Sequence, residues 1–207
     1  MVSSSPKGGD YRVRECEGGT DYAAVIGSVD GWWGGRRVSP MLPRLFFENF
    51  RDTTFVAVTT EEQEIVGFIC GFVSQSRPVV AHAHFVGINA SHRGKGLGKR
   101  LYERFLRAVK ARDCTLVHAV TSPRNTASVA FHRKIGFDVV RIASGEGGGE
   151  AGSATAGDVK STAALSLPGG TAADLQAGGV PALGSEFVHK DYDGPDDGDR
   201  VLLEKCL

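Results

Sequence analysis

The sequence predicts an α/β (α+β) fold: a mixed, mostly antiparallel central sheet flanked by helices, with a Gly/Ala-rich insertion before the last strand. Three observations lead there. Short β-branched runs recur with amphipathic helical stretches set among them. Two of the runs, 53–59 and 65–74, flank an acidic turn and read as an antiparallel hairpin. Glycine supplies 28 of the 207 residues, and 11 of these fall in the single segment 145–184, with nine alanines and no aromatic residue.

Taken in order, residues 11–16 alternate and predict a first strand. Asp21 stands where a cap would open a helix over 22–29. The irregular stretch 30–37 holds both tryptophans, Trp32 and Trp33. Leu42, Leu45, Phe46 and Asn49 fall at helical spacings, and with Pro40 and Pro43 near the start they predict a helix over 42–50. The hairpin follows, then a longer strand over 79–89. Leu97, Leu101, Phe105 and Val109 recur every fourth residue and put one apolar stripe on a helix over 96–111. A strand over 115–121, a short helix over 125–135 capped by Asn125 and a strand over 137–143 come next. Closing strands are expected at 186–189 and 200–207.

Composition sets the organisation and narrows the class. Residues 1–9 read as a flexible tail. Residues 10–207 read as one domain, interrupted by 145–184. That segment has too little apolar surface to offset the entropy of ordering its backbone, so it reads as a flexible insertion whose deletion leaves the core folded. With 24 basic and 24 acidic residues the formal charge is zero, which argues against nucleic acid or a membrane as partner. No run approaches the length of a membrane span, and the N-terminus lacks the apolar core of a signal peptide. Cys16, Cys70, Cys114 and Cys206 show no C-x-x-C spacing, which fits reduced thiols, a cytoplasmic location and no metal.

The run Ser91-His92-Arg93-Gly94-Lys95-Gly96-Leu97-Gly98-Lys99-Arg100 carries the most information. It follows a strand and opens a helix, where unpaired N–H groups and the helix dipole favour an anion. It fails the Walker A pattern, because Arg93 stands where the first glycine belongs and Arg100 where Ser or Thr belongs. It fails G-x-G-x-x-G as well, since Lys99 or Leu101 takes the last position. Arg-x-x-Gly-x-Gly fits without adjustment, at Arg93, Gly96 and Gly98.

With these residues the chain resembles the GNAT superfamily of acetyl-CoA-dependent N-acetyltransferases. A second block, Asn125-Thr126-Ala127-Ser128-Val129-Ala130-Phe131-His132-Arg133-Lys134-Ile135-Gly136-Phe137, is similar to that family's downstream block, and the element order is similar too. The resemblance covers about residues 11–143 and the last strand. It implies acetyl-CoA as cosubstrate, its pantetheine arm along the strand at Val86 and Ile88. The pyrophosphate would sit on the amides of Arg93, Gly94, Lys95, Gly96, Leu97, Gly98 and Lys99, and Asn125 would meet the cofactor. Lys99, Arg100 or Arg133 would reach the 3′-phosphate.

Acetyl transfer to an amine requires a base, because the amine arrives as ammonium, and a donor for the leaving thiolate. An oxyanion would be held by a backbone N–H of the 86–88 strand. Strand alternation places His82, His84, Val86 and Ile88 on one face, and imidazole suits a base at neutral pH. Counted back from Arg93 without gaps, His82 resembles the glutamate base of histone-type members. The His82-x-His84 pair resembles that of arylalkylamine N-acetyltransferases. His132 occupies the position where many members place a tyrosine acid, four residues before Gly136-Phe137. It is a candidate acid or sulfur contact, with packing as the alternative. Trp32 and Trp33 are candidates for the acceptor wall, with core packing as the alternative; Tyr102 and Tyr192 are weaker candidates. The expected activity is acetylation of a primary amine of a small molecule by direct attack in a ternary complex. Acetylation of protein lysines or N-termini, and a non-catalytic acyl-CoA-binding module, are the alternatives. A monomer or homodimer is expected.

Overall fold

A computed structural model describes residues 10–141, 183–190, 192 and 199–207. The insertion expected over 145–184 and the tail over 1–9 lie almost wholly outside the described residues. The chain groups into two compact units, Met1–Ala119 with Cys206–Leu207, and Val120–Lys205. The mixed α/β class and the mostly antiparallel strand pairing expected from the sequence are both present.

In the first unit, strands β1 (Tyr11–Glu15), β2 (Thr54–Thr59), β3 (Ile65–Val73) and β4 (Val80–Ile88) pair antiparallel in sequence order. β5 (Leu116–Thr121) pairs parallel to β4 and carries the chain onward toward the second unit. Helices α1 (Gly19–Trp32) and α2 (Leu45–Asn49) cover one face of this sheet, and α3 (Leu97–Lys110) covers the other. Under α1 and α2 lies a core of Val25, Val29, Trp32, Phe46, Phe47, Val56, Val58, Phe68 and Cys70. Under α3, the predicted stripe of Leu97, Leu101, Phe105 and Val109 is at most 1% exposed. α3 sits close because β3 presents glycines to it: a Cβ on Gly71 would meet Phe105 ring carbons at 2.6 and 2.8 Å.

Local chemistry explains where the helices depart from expectation. α1 begins before Asp21, with Gly18 as its cap at φ 68°. Asp21 is buried and does not cap. It receives Arg14 through two hydrogen bonds of 2.7 and 2.9 Å, and the Glu17 N–H at 2.7 Å. α1 also runs on through Trp32, which places that ring in the core. α2 is shorter than the expected helix over 42–50. Pro43 pushes Leu42 out of the helical region, to ψ 77°, so a helix cannot form before it. A 3-10 turn at Ser39–Met41 precedes it.

In the second unit, α4 (Thr126–Lys134) has Asn125 as its cap, the side chain accepting the Ser128 N–H at 3.1 Å as predicted. β6 is only Asp138–Val139 and pairs antiparallel with β7, Val201–Cys206. The strand expected over 186–189 is instead a 3-10 turn, Ser185–Phe187, followed by one bridge from His189 to Arg200.

Candidate active site

The first unit's candidate site is built around β4. Its pairing with β5 covers Val80–Ala83 against Leu116–Ala119 and stops there. β4 runs on to Ile88, paired on its other side to β3. From Phe85 to Ile88 the β5-side edge has no strand partner among the described residues. An unpaired edge offers a row of backbone N–H and C=O groups to an extended ligand that carries amides of its own.

A β-bulge changes what this strand presents. Cys70 is opposite Phe85 while Gly71 is opposite Ala83, so His84 is the extra residue. An extra residue inverts the alternation beyond it. His82, His84, Val86 and Ile88 therefore do not share a face, contrary to the sequence expectation. Ile88 lies over Gly67 beside Leu101, on the α3 side, and Val86 shares its face. His82 and His84 lie on the α1/α2 side. His84 stacks on Phe46 at 4.2 Å between ring centres, with its Nε2 3.0 Å from the Met41 carbonyl. His82 stacks on Phe72 at 5.1 Å and meets His118 edge-on at 5.2 Å. Burial first, then His118 and Arg77, pushes the half-buried His82 imidazole below its ordinary pKa, so it rests neutral at neutral pH.

The glycine loop joins β4 to α3. Gly94 and Gly96 adopt φ 75° and 77°, which only glycine takes without strain, and a Cβ at either would meet nothing within 4 Å. The loop surface is therefore open. Gly98 has another role, as the second residue of α3. The Arg100 N–H bonds to the Gly96 carbonyl, the first such bond of the helix. The N–H groups of Leu97, Gly98 and Lys99 precede it and have no intrahelical acceptor. The Leu97 side chain is core, so this residue can offer only its backbone.

Arg93 is committed to the loop's anchorage. Its guanidinium donates to the Ile88 carbonyl at 3.1 Å and to the Trp32 carbonyl at 2.6 Å, joining the end of β4 to the end of α1. Lys95 donates to the Tyr11 hydroxyl at 2.9 Å. Lys99 is exposed and pairs with Glu103 at 3.7 Å. The two tryptophans separate. Trp32 is 5% exposed and packs on Phe68. Trp33 packs on Phe85 and lies against Gly87, where a Cβ would meet its ring at 2.7 Å. Trp33 is thus the one beside the free edge of β4. Tyr102 is buried in the core, its hydroxyl pushed up by burial.

In the second unit His132 is 3% exposed, on α4. Its Nδ1 is 2.7 Å from the Ser128 carbonyl, which can only accept, so Nδ1 carries the proton and Nε2 is the acceptor nitrogen. Burial pushes this imidazole down and outweighs the Ser128 bond, which acts the other way. A neutral ring of this tautomer is a poor proton donor.

Sequence reasoning missed His118 and Tyr11. Tyr11 binds Lys95, His92 and, through its carbonyl, Arg100. Both contacts depend on strand and helix placement, and no local sequence pattern marks them. Among the described residues no group of three or more His, Cys, Asp or Glu could hold a metal.

L-2,4-diaminobutyric acid acetyltransferase of Shouchella clausii is 35% identical over 88 residues, 42% of this chain and 48% of that protein. The chain spans about half the length of that relative. A structure of diaminobutyrate acetyltransferase from Paenibacillus lautus, in complex with L-2,4-diaminobutyric acid and coenzyme A, is similar with a TM-score of 0.51. It is 22% identical, covering 65% of this chain and 82% of that one. Ard1 from Thermoplasma volcanium matches with a TM-score of 0.61 at 14% identity, over 95% of this chain and 97% of that one. The model of the Acetyltransferase (GNAT) family matches residues 29–137, just over half of the chain and all of β4, the glycine loop and α3, and the chain belongs to that family.

Proposed function

We propose that this protein transfers the acetyl group of acetyl-CoA to a primary amine of a small molecule. The observation that carries this reading is the free edge of β4, which begins beside His82 and His84 and ends at the open glycine loop. The residues present fit acetyl-CoA. An amide-bearing pantetheine arm matches the unpaired edge at Val86 and Ile88. The open loop at Gly94 and Gly96, with the first-turn amides of α3, matches a pyrophosphate. Bound acetyl-CoA supplies an activated acyl thioester.

The protein's own contribution is position and proton transfer. His82, neutral and half-buried, takes a proton from the ammonium of the acceptor. The freed lone pair then attacks the thioester carbonyl carbon. A backbone N–H on the free edge of β4 offers a donor to the developing oxyanion. Direct attack is favoured over a cysteine relay. Burial raises the Cys70, Cys16 and Cys114 thiols away from the thiolate form. The relatives named for L-2,4-diaminobutyric acid make that diamine the first acceptor to test.

The test is thiol release from acetyl-CoA across a panel of small amines, with lysine peptides as a second arm. Turnover on a small amine, reduced at least about 100-fold in His82→Gln, is the expected result. Turnover on peptides alone would make this a protein acetyltransferase. Coenzyme A binding without turnover in either arm would make it a binding module.

A further inference from the structure

His118 has no counterpart in any motif of the sequence, yet it stands against the proposed base. β4 and β5 are parallel, and their register sets His82 directly beside His118. The rings meet edge to face, 5.2 Å between centres and 85° between planes. Phe72 closes one face of His82. The next pair, Ala83 and Ala119, is the last before the strands stop pairing. The two imidazoles therefore sit at the base of the opening along β4. His118 is the deeper of the two, at 7% exposure.

We propose that His118 is a positioning residue for His82, holding its ring by edge contact and limiting the pair to one positive charge, so that His82 stays ready to accept the amine's proton. This rests on the reading of His82 as the base. Two imidazolium ions at this distance in a half-buried place repel each other, so protonating one opposes protonating the other. Among the described residues, the charged and titratable groups facing His82 are His118 on β5 and Arg77 in the turn before β4; β3 contributes the uncharged Phe72. Both act on His82 in the same sense as burial.

The chemical step balances without any further reactant. The acceptor ammonium gives one proton to the unprotonated ring nitrogen of His82. The amine nitrogen forms a C–N bond to the carbonyl carbon, and the C–S bond breaks with its electron pair leaving on sulfur. The second amine proton neutralises the thiolate, and the proton held on His82 passes to water. His118 takes no proton in this cycle; it sets how readily His82 does.

Two measurements on the full chain test this: the pH profile of kcat/KM for the best amine of the panel, and the NMR titration of the His82 imidazole. In His118→Gln the acid limb and the His82 titration are both expected to move upward by about half to one pH unit. The rate on the alkaline plateau is expected to stay within about threefold, because the base itself is intact. His118→Phe, which keeps a ring of similar size, is the second variant and should shift both readings in the same direction. A folded variant with unchanged limb and unchanged titration overturns the proposal, as does a uniform loss of rate at every pH. If His82→Gln keeps the wild-type rate, the base assignment fails instead, and the NMR titration still decides whether the two rings are coupled.

Discussion

At the scale of single residues, the glycines of this chain separate by what surrounds them. Gly71 lies under α3, where a Cβ would run into the His82 carbonyl and the Phe105 ring. Gly71→Ala must displace either the helix or β4, and is expected to destabilise by about 2–3 kcal/mol. Gly27 is exposed on α1, with nothing within 4 Å of a Cβ. Gly27→Ala is expected to stabilise by about 0.5–1 kcal/mol, through backbone entropy alone. Urea denaturation of the two variants checks the opposite signs. Sequence shows that both positions are glycine, but it cannot distinguish them. One faces a helix from elsewhere in the chain and the other faces water. The histidines show the same limit. His82, His84 and His132 were visible as candidates, whereas the tautomer of His132 is fixed by the Ser128 carbonyl and the partner of His82 by strand register.

At the scale of elements, the junction of β1 and α1 depends on one buried carboxylate. Asp21 is 2% exposed and holds the Arg14 guanidinium in a two-point contact together with the Glu17 N–H. The Arg14 guanidinium is correspondingly held even more firmly protonated, chiefly by its hydrogen bond to Asp21. Asp21→Asn leaves the partly buried Arg14 with only the exposed Glu17, at 3.4 Å, as its counter-charge and is expected to cost about 2 kcal/mol. A fall in the urea midpoint with an unchanged m-value checks it. Elsewhere, strands and helices with strong local patterns matched expectation to within a residue or two. β2, β3, β4, α3 and α4 are examples. α2 did not, because Pro43 blocks the turn that hydrophobic spacing alone would allow. The turn at 186–189 did not either: its pattern resembles a strand, but it makes a single bridge.

At the scale of the whole molecule, acid sensitivity follows from histidines held neutral. Burial lowers the pKa of both His82 and His132 in the folded state. The unfolded chain binds protons near the ordinary value of about 6.5, and the folded chain resists them. Stability is thus fully present above that pH and falls as pH drops below it. Asp30 behaves differently. Its carboxylate accepts from the Val38 and Ser39 N–H groups, each at 2.7 Å, and its pKa is lowered by them. Its contribution is present above the ordinary carboxylate range and is lost only as pH falls through its lowered folded value. Two separate windows are therefore expected in a plot of Tm against pH. The first is a decline below about pH 6.5, shallower in His132→Gln, and the second lies in the carboxylate range, shallower in Asp30→Asn. Thermal melts from pH 7.5 to 3 check both, and a flat Tm between pH 7 and 5 would contradict the first.

The sequence by itself determined the alphabet of the fold and the chemistry of its loop. Alternation and helical spacing are local, so they specified most strands and helices. Arg93, Gly96 and Gly98 lie within six residues of one another, so their motif was legible without any tertiary contact. Tertiary structure decided which way those residues point and what they meet. One extra residue at His84 turned Val86 and Ile88 away from the histidines. The end of α1 sent Trp32 into the core and left Trp33 beside β4. The parallel register of β4 and β5 brought His118 to His82. Each of these depends on pairing between segments far apart in the chain, which is fixed by the packing of whole layers and leaves no local signature.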